Sequence, residues 1–271
     1  MTPMEKRYRI KPNSDFNIQD LPTLDKQAVL PTKEERDAYV AKQAIKLDEL
    51  QNMLYAEGKH KILVVLQGMD TAGKDGTIRK VFQNIDPLGV RAEAFKTPTP
   101  IEAAHDYLWR VHQVVPKTGE LVIFNRSHYE DVLITQVRGW IDETECQRRL
   151  AHINDFERLL SETGTTILKF FLHISKEEQR SRLQERLDKP EKNWKFNPGD
   201  LEDRARWDAY QNQYNRVIEA TSTETAPWYA IPADSKSSRN QIIIDILIER
   251  LTALDMTYPQ VDTHGWPKKV K

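Results

Sequence analysis

The segment KILVVLQGMDTAGKDGTIRKV, residues 61–81, constrains this chain more than any other. Lys61 to Gln67 is a short, β-branched apolar run of the kind that forms a parallel strand covered on both faces. Gly68, Gly73 and Lys74 follow in the spacing G-x-x-x-x-G-K, and a helix candidate comes next. In that order the loop amides, the helix N-terminus and the Lys74 ammonium converge on one point, which suits a chain of phosphates. Gly68, Thr71, Ala72, Gly73, Lys74, Asp75 and Gly76 are the candidate phosphate cradle. The bland alternative is a glycine turn that only joins strand to helix, and the buried-type strand before the loop weighs against it.

Asp75 stands where such loops usually carry a Ser or Thr whose hydroxyl meets Mg²⁺, which makes an ordinary ATPase or GTPase a poorer fit. Asp70 places a second carboxylate inside the loop. Carboxylates beside phosphates call for cations, so at least one Mg²⁺ is expected, with Asp70 the stronger ligand and Mn²⁺ a possible substitute. For Asp75, capping of the following helix is an equal alternative.

Further apolar runs at Leu121–Phe124, Thr166–His173 and Trp228–Ile231 alternate with helical segments. Those helices have local start signals: Thr32 with Glu35, Thr99-Pro100 with Glu102, and Ser175 with Glu178. The alternation predicts an α/β fold with a parallel sheet. Residues 1–57 read as an extended, proline-bearing arm followed by a helix packing on the core, the arm wrapping the domain or a neighbouring subunit. Residues 58–271 read as the core, in a single domain overall. DKPEKNWKFNPG, residues 188–199, interrupts a helix with two prolines and clustered lysines, and marks a lid at about 180–206.

The net charge of −1 argues against a generic nucleic-acid binder, and the chain has no apolar run long enough to cross a membrane. The single cysteine, Cys146, cannot form an internal disulfide, and no leader segment is evident, so a reducing cytoplasm is expected.

The run from Leu121 ends as FNRSHYEDV, residues 124–132. Ligands gather at the carboxyl ends of parallel strands, so this polar cluster should face the glycine loop. Arg126 could brace a transferring phosphate, with a surface salt bridge as the alternative; Glu130 or Asp131 could hold metal or orient an acceptor. Phe95, Lys96, Thr97 and Pro98 precede a capped helix and are candidates for the acceptor side.

GMDTAGKDG, FNRSHYEDV, and KNWKFNPGD followed by RARWDAYQ together resemble the polyphosphate kinase 2 family, from the helix before the first strand to about Leu254. The resemblance implies a three-layer α/β/α P-loop kinase core with a helical lid, assembled as a homodimer or homotetramer. It implies transfer of the terminal phosphoryl group of inorganic polyphosphate to an adenine nucleotide, with Asp70, Lys74 and Arg126 catalytic. The second motif of the family often begins with Asp; Asn125 here weakens a metal-ligand role at that position. Glu130 resembles the subgroup that phosphorylates both AMP and ADP. Asn125, Arg126, Glu130 and Asp131 are thereby placed with Phe95, Lys96 and Thr97 at the nucleotide.

Arg180 to Pro198 holds six basic residues against three acidic ones. A groove lined by Arg182, Arg186, Lys192 and Lys195 would bind a polyanion and let it slide; a solvated helix face is the alternative. Trp194 is expected to pack the lid shut, with stacking on a base as the alternative. His128 is the one histidine at the suspected site, and a phosphohistidine route ranks low. Competing readings are a thymidylate-kinase-like enzyme using ATP, and a module that senses polyphosphate or nucleotide without turnover.

Overall fold

The computed structural model describes residues 3–267 and residue 269. The expected apolar runs form β1 (Lys61–Gln67), β3 (Leu121–Asn125), β4 (Thr165–His173) and β5 (Trp228–Pro232), and β2 (Val90–Ala94) leads into Phe95. All pairings are parallel and the order is β2-β3-β1-β4-β5. β1 lies at the centre, with Val64 paired to Ile123 on one side and Leu168 on the other. Ile62 to Leu66 are fully buried, as a strand covered on both faces must be.

From β1 the chain runs outward to β2; from β3 it crosses back past β1 to β4 and β5. Right-handed crossovers in opposite directions put their helices on opposite faces of the sheet. Lys33–Glu57, Lys74–Val81 and Lys236–Thr252 pack together, while Glu143–Glu162 packs on β4 and against Trp207–Thr221. The result is a three-layer α/β/α arrangement. The reversal of direction beside β1 opens a crevice at the strands' carboxyl ends.

The local start signals operate as read. Thr32 and Thr99 form reciprocal capping boxes with Glu35 and Glu102, and the Ser175 side chain accepts from the Glu178 amide. The lid segment is more helical than its prolines suggest. Lys176–Asp188 gives way to Pro190–Asn193 and Pro198–Ala205 before Trp207–Thr221, with Pro190 and Pro198 in first helical turns, where a missing N–H costs nothing.

The arm also carries structure that its sequence does not advertise. Pro3–Tyr8 is helical, the Ile10 amide donates to Trp228 O at 2.8 Å, and Ile18 is fully buried. It lies on β5 and the C-terminal helix of its own chain. Among the described residues no helix is long and apolar enough to cross a membrane.

Candidate active site

The loop after β1 and the turn after β3 lie side by side because their strands are neighbours. Two of the loop's glycines are required by space as well as by backbone angle. A Cβ at Gly68 (φ 150°) would stand 2.7 Å from Leu172 O, and one at Gly73 (φ 105°) would overlap the Arg239 guanidinium. Thr71 (φ 64°) and Arg126 (φ 63°) hold left-handed conformations without being glycine. Each costs energy that the surrounding structure must supply, and both sit where the two strand ends meet.

A cleft of about 510 Å³ opens over these strand ends. Asp70, Thr71, Gly73 to Gly76, Phe95, Lys96, Asn125 and Arg126 line it from the sheet side; Arg186, Lys192, Trp194, Lys195 and Asp200 line it from the lid. Gly68 and Glu130 border a small adjoining recess with Tyr210 and Tyr214. Residues separated by more than a hundred positions thus face one volume.

Arg126 is the hub of its floor. Its Nη2 donates to Asp70 Oδ1 at 2.6 Å and its Nη1 to Glu130 Oε2 at 3.3 Å. Glu130, then burial working against it, then Asp70 set its acidity, and the net effect holds it firmly protonated. Lys74 is 8 % exposed, its ammonium donating to Gly68 O at 2.7 Å and Met69 O at 3.3 Å. Burial above all, with the charge of Arg126 adding, lowers its pKa to about 8, so an anion in the loop would reinforce its proton. Asp75 accepts from Asn125 Nδ2 at 2.7 Å. Burial works against the Asp75 charge, but the Asn125 bond and the Lys195 and Lys74 charges keep its pKa below the usual carboxylate value. It makes no cap; Gly73 occupies that position and offers no side chain.

Several residues invisible to motif reading complete the site. Arg239, 1 % exposed, donates to Ala72 O at 2.9 Å and to Asn240 Oδ1. Burial, then Arg182, lowers its pKa to about 9. With its amide oxygen toward Ser127, Gln67 donates to Glu130 Oε1 at 3.1 Å and steadies that carboxylate. Asp200 faces the cleft and pairs with Arg186 at 2.8 Å. Burial first, and Asp70 second, push its carboxyl up to about 6. The lid's flank is tied to the body by Arg138, which reaches Asp203 at 2.6 Å, and Tyr210 OH also donates to Asp203.

Several expectations need correction. Arg182 spends all its donors inside the protein: on Glu178, on Thr71 O and Ala72 O, and on Ala233 O and Asp234 O. It borders the cleft as expected, but its donors brace the loop's carbonyls and leave no N–H for a phosphate, because four-residue spacing sets a helix face and not its depth. Asp131 turns away from the cleft toward Arg110, 3.6 Å distant, and burial raises its pKa above the ordinary carboxylate value. Trp194 is 74 % exposed at the rim, its indole N–H capping Glu191 O, so it does not pack the lid shut. His128 is fully buried against Glu157, behind the turn. Thr97 is exposed and outside the cleft lining, unlike Phe95 and Lys96. Lys192 lines the cleft but shares Glu185 with Lys189.

The chemistry on offer is a cradle of amides and cations for a chain of phosphates, opposite a basic lid. Among known proteins, the profile described as polyphosphate kinase 2 matches residues 31–259. An AMP/ADP-polyphosphate phosphotransferase of Meiothermus ruber is 55 % identical over 258 residues, 95 % of this chain and 97 % of the relative. An ADP-polyphosphate phosphotransferase of Rhodopseudomonas palustris is 39 % identical, with 94 % and 92 % covered. The crystal structure of polyphosphate kinase 2 from Arthrobacter aurescens TC1 superposes with a TM-score of 0.92 at 43 % identity, covering 96 % of this chain and 93 % of that one. The match spans the arm, sheet and lid together, and this chain belongs to the polyphosphate kinase 2 family.

Proposed function

We propose that the protein transfers the terminal phosphoryl group of inorganic polyphosphate to AMP and to ADP, giving ADP and ATP, in a reversible reaction. The observation that carries the reading is the single cleft in which the glycine loop, Arg126 and the lid cations meet, in a chain related over its length to an AMP/ADP-polyphosphate phosphotransferase. The phosphoanhydride bond of the donor's last phosphate breaks as the same phosphorus bonds to a terminal phosphate oxygen of the nucleotide. That oxygen is already ionised near neutral pH, so no base is needed. The shortened polyphosphate leaves as an anion.

In this reading the loop amides and Lys74 hold the transferring group and Arg126 offsets charge on its equatorial oxygens. Phe95, Lys96 and Glu130 form the nucleotide side, while Arg186, Lys192 and Lys195 line the donor's path. Asp70 and Asp200 both line the cleft and are the carboxylates that would hold a divalent ion there, the charge of Asp70 adding to burial in disfavouring that of Asp200. Mg²⁺ needs only one or two carboxylates besides phosphates and water, and Mn²⁺ accepts the same oxygens. When bound, the ion would supply positive charge that offsets the charge of the phosphates. Asn125, committed to Asp75, contributes alignment of the loop. Assembly as a homodimer or homotetramer in a reducing cytoplasm belongs to the same reading, and light scattering of the purified chain tests the first.

Purified protein, Mg²⁺ and long-chain polyphosphate are incubated separately with AMP, ADP and dTMP, with products resolved by chromatography beside Lys74→Ala. ATP from both adenine nucleotides, absent in the variant, is the expected result. Product from only one of them overturns the role given to Glu130. Activity with ATP and dTMP but not polyphosphate would establish the thymidylate-kinase-like alternative, and binding without product the sensing module.

A further inference from the structure

Behind the turn that carries Arg126 and Glu130 lies a buried charged cluster that the proposed chemistry does not use. Lys169 on β4 is fully buried, and its three ammonium hydrogens go to Glu157 Oε2 at 2.6 Å, Thr221 O at 2.7 Å and Tyr129 OH at 2.9 Å. Tyr129 OH in turn donates to Glu157 Oε1 at 2.7 Å, and His128 Nε2 lies 3.2 Å from the same oxygen. Five chain segments therefore meet at one ion pair: the turn after β3, Glu143–Glu162, β4, Trp207–Thr221 and, through the Lys169 ammonium 5.1 Å from the Trp228 ring, β5.

The alternation of side chains in the turn gives the cluster its meaning. Arg126 faces the cleft and Glu130 the recess beside it, whereas Ser127, His128 and Tyr129 between them are fully buried. Arg126 sits at φ 63°, a conformation that must be held by its surroundings. The Ser127 hydroxyl accepts from the Tyr129 amide at 3.2 Å, and the next backbone bonds are short-range turns. On the β1 side the turn is held by the Arg126 amide, which donates to Leu66 O at 3.1 Å, and by Gln67, which meets Ser127 and Glu130; from behind it is held by the inward reach of His128 and Tyr129 to Glu157.

We propose that the Glu157–Lys169 pair is a positioning device for phosphoryl transfer, which fixes the Arg126–Glu130 turn from behind through Tyr129 and His128. A buried ion pair is a poor source of net stability, since an apolar pair of similar volume generally serves the fold as well. It is a good source of direction, because each hydrogen bond admits one geometry. Burial opposes both charges; Lys169 nonetheless holds Glu157 ionised, with His128 adding to it.

The inference rests on the polyphosphate reading for its kinetic half only. Lys169→Met, Glu157→Leu with Lys169→Met, and Tyr129→Phe are compared with wild type for melting temperature, for kcat and KM with polyphosphate and ADP, and for amide hydrogen exchange over residues 126–131. Lys169→Met alone leaves a buried carboxylate unpaired and melts lowest. The double variant recovers the melting temperature while kcat stays about tenfold down with KM little changed, and its turn amides exchange faster. Recovery of kcat together with melting, at wild-type exchange rates, overturns the proposal and leaves the pair a folding element. Should the double variant not fold, Tyr129→Phe decides: it removes one hydroxyl from a packed ring, and wild-type kcat with unaltered exchange refutes positioning. Absence of activity in wild type refutes the polyphosphate reading, while the exchange comparison still judges this one.

Discussion

The glycine loop and the lid are both rich in cations, yet they hold them in opposite ways. Around the loop, Arg182 and Arg239 are almost fully buried and spend their donors on backbone and side-chain oxygens of their own chain, the Ala72 carbonyl among them. With the Thr71 and Ala72 carbonyls held by fixed guanidiniums, the loop's shape is set by its own chain. In the lid, Lys189 and Lys192 share one carboxylate, Glu185, which they hold near a pKa of about 2, and Trp194 stands in solvent. Buried cations set shape before any ligand arrives; exposed ones supply charge that a ligand can compete for. Reading charge from sequence does not separate the two.

That contrast predicts a ranking of effects. Lys74→Ala should be the most damaging, removing the loop's own ammonium from the cleft, and should lower kcat/KM by about 10³-fold, or ~4 kcal/mol of transition-state stabilisation. Steady-state rates with polyphosphate and ADP measure it, and a loss under tenfold would break the comparison on the loop side. Arg239→Met comes next. It strips the Ala72 carbonyl of a buried donor and should cost about 2 kcal/mol of stability together with a large fall in kcat. Urea unfolding beside kinetics tests whether the brace serves the loop; unchanged kcat at lower stability would make it mere packing.

Asp200→Asn sharpens the middle of the ranking through its sign. The Asp200 carboxyl is raised to about 6, above its ordinary value, so the folded state binds this proton more tightly than the unfolded chain. Its contribution to stability is therefore fully present at low pH and is lost as pH rises through 6. Neutralising it should stabilise the protein at pH 7 by about 1 kcal/mol, after discounting for solvent screening, while slowing transfer. The gain should vanish near pH 4; equal gains at both pH values would remove the titration argument. Lys192→Ala should be smallest, with KM for polyphosphate up about threefold at low salt and stability changed by under ~0.5 kcal/mol. A hundredfold KM effect would mean that the lid, too, is preset.

How much of this was legible beforehand follows from the range of each interaction. β1 and the caps at Thr32, Thr99 and Ser175 were readable because their causes lie within a few residues. Asp70, Lys74 and Arg126 were singled out by loop spacing and strand-end position, and the fold brings them within one cleft. Arg239 and Asp200 were not, since each acquires its meaning from residues over a hundred positions away. Arg182 was read as a groove cation because helical period tells direction and not depth. The arm's helix, six residues long with prolines around it, is held by β5 and the C-terminal helix rather than by any periodicity of its own.

The central place of β1 also has a meaning in time. Among the described strands it is the first to be synthesised, and both of its sheet neighbours, β3 and β4, lie C-terminal to it. Ile10, whose amide is closed by Trp228, waits longer still, on the order of tens of seconds of synthesis. Until those later segments emerge, the most apolar stretch of the chain has no partner to pair with. A nascent chain stopped before residue 121 would thus expose Ile62 to Leu66 as an open strand, and the same placement that centres the phosphate loop makes early synthesis the period of greatest aggregation risk.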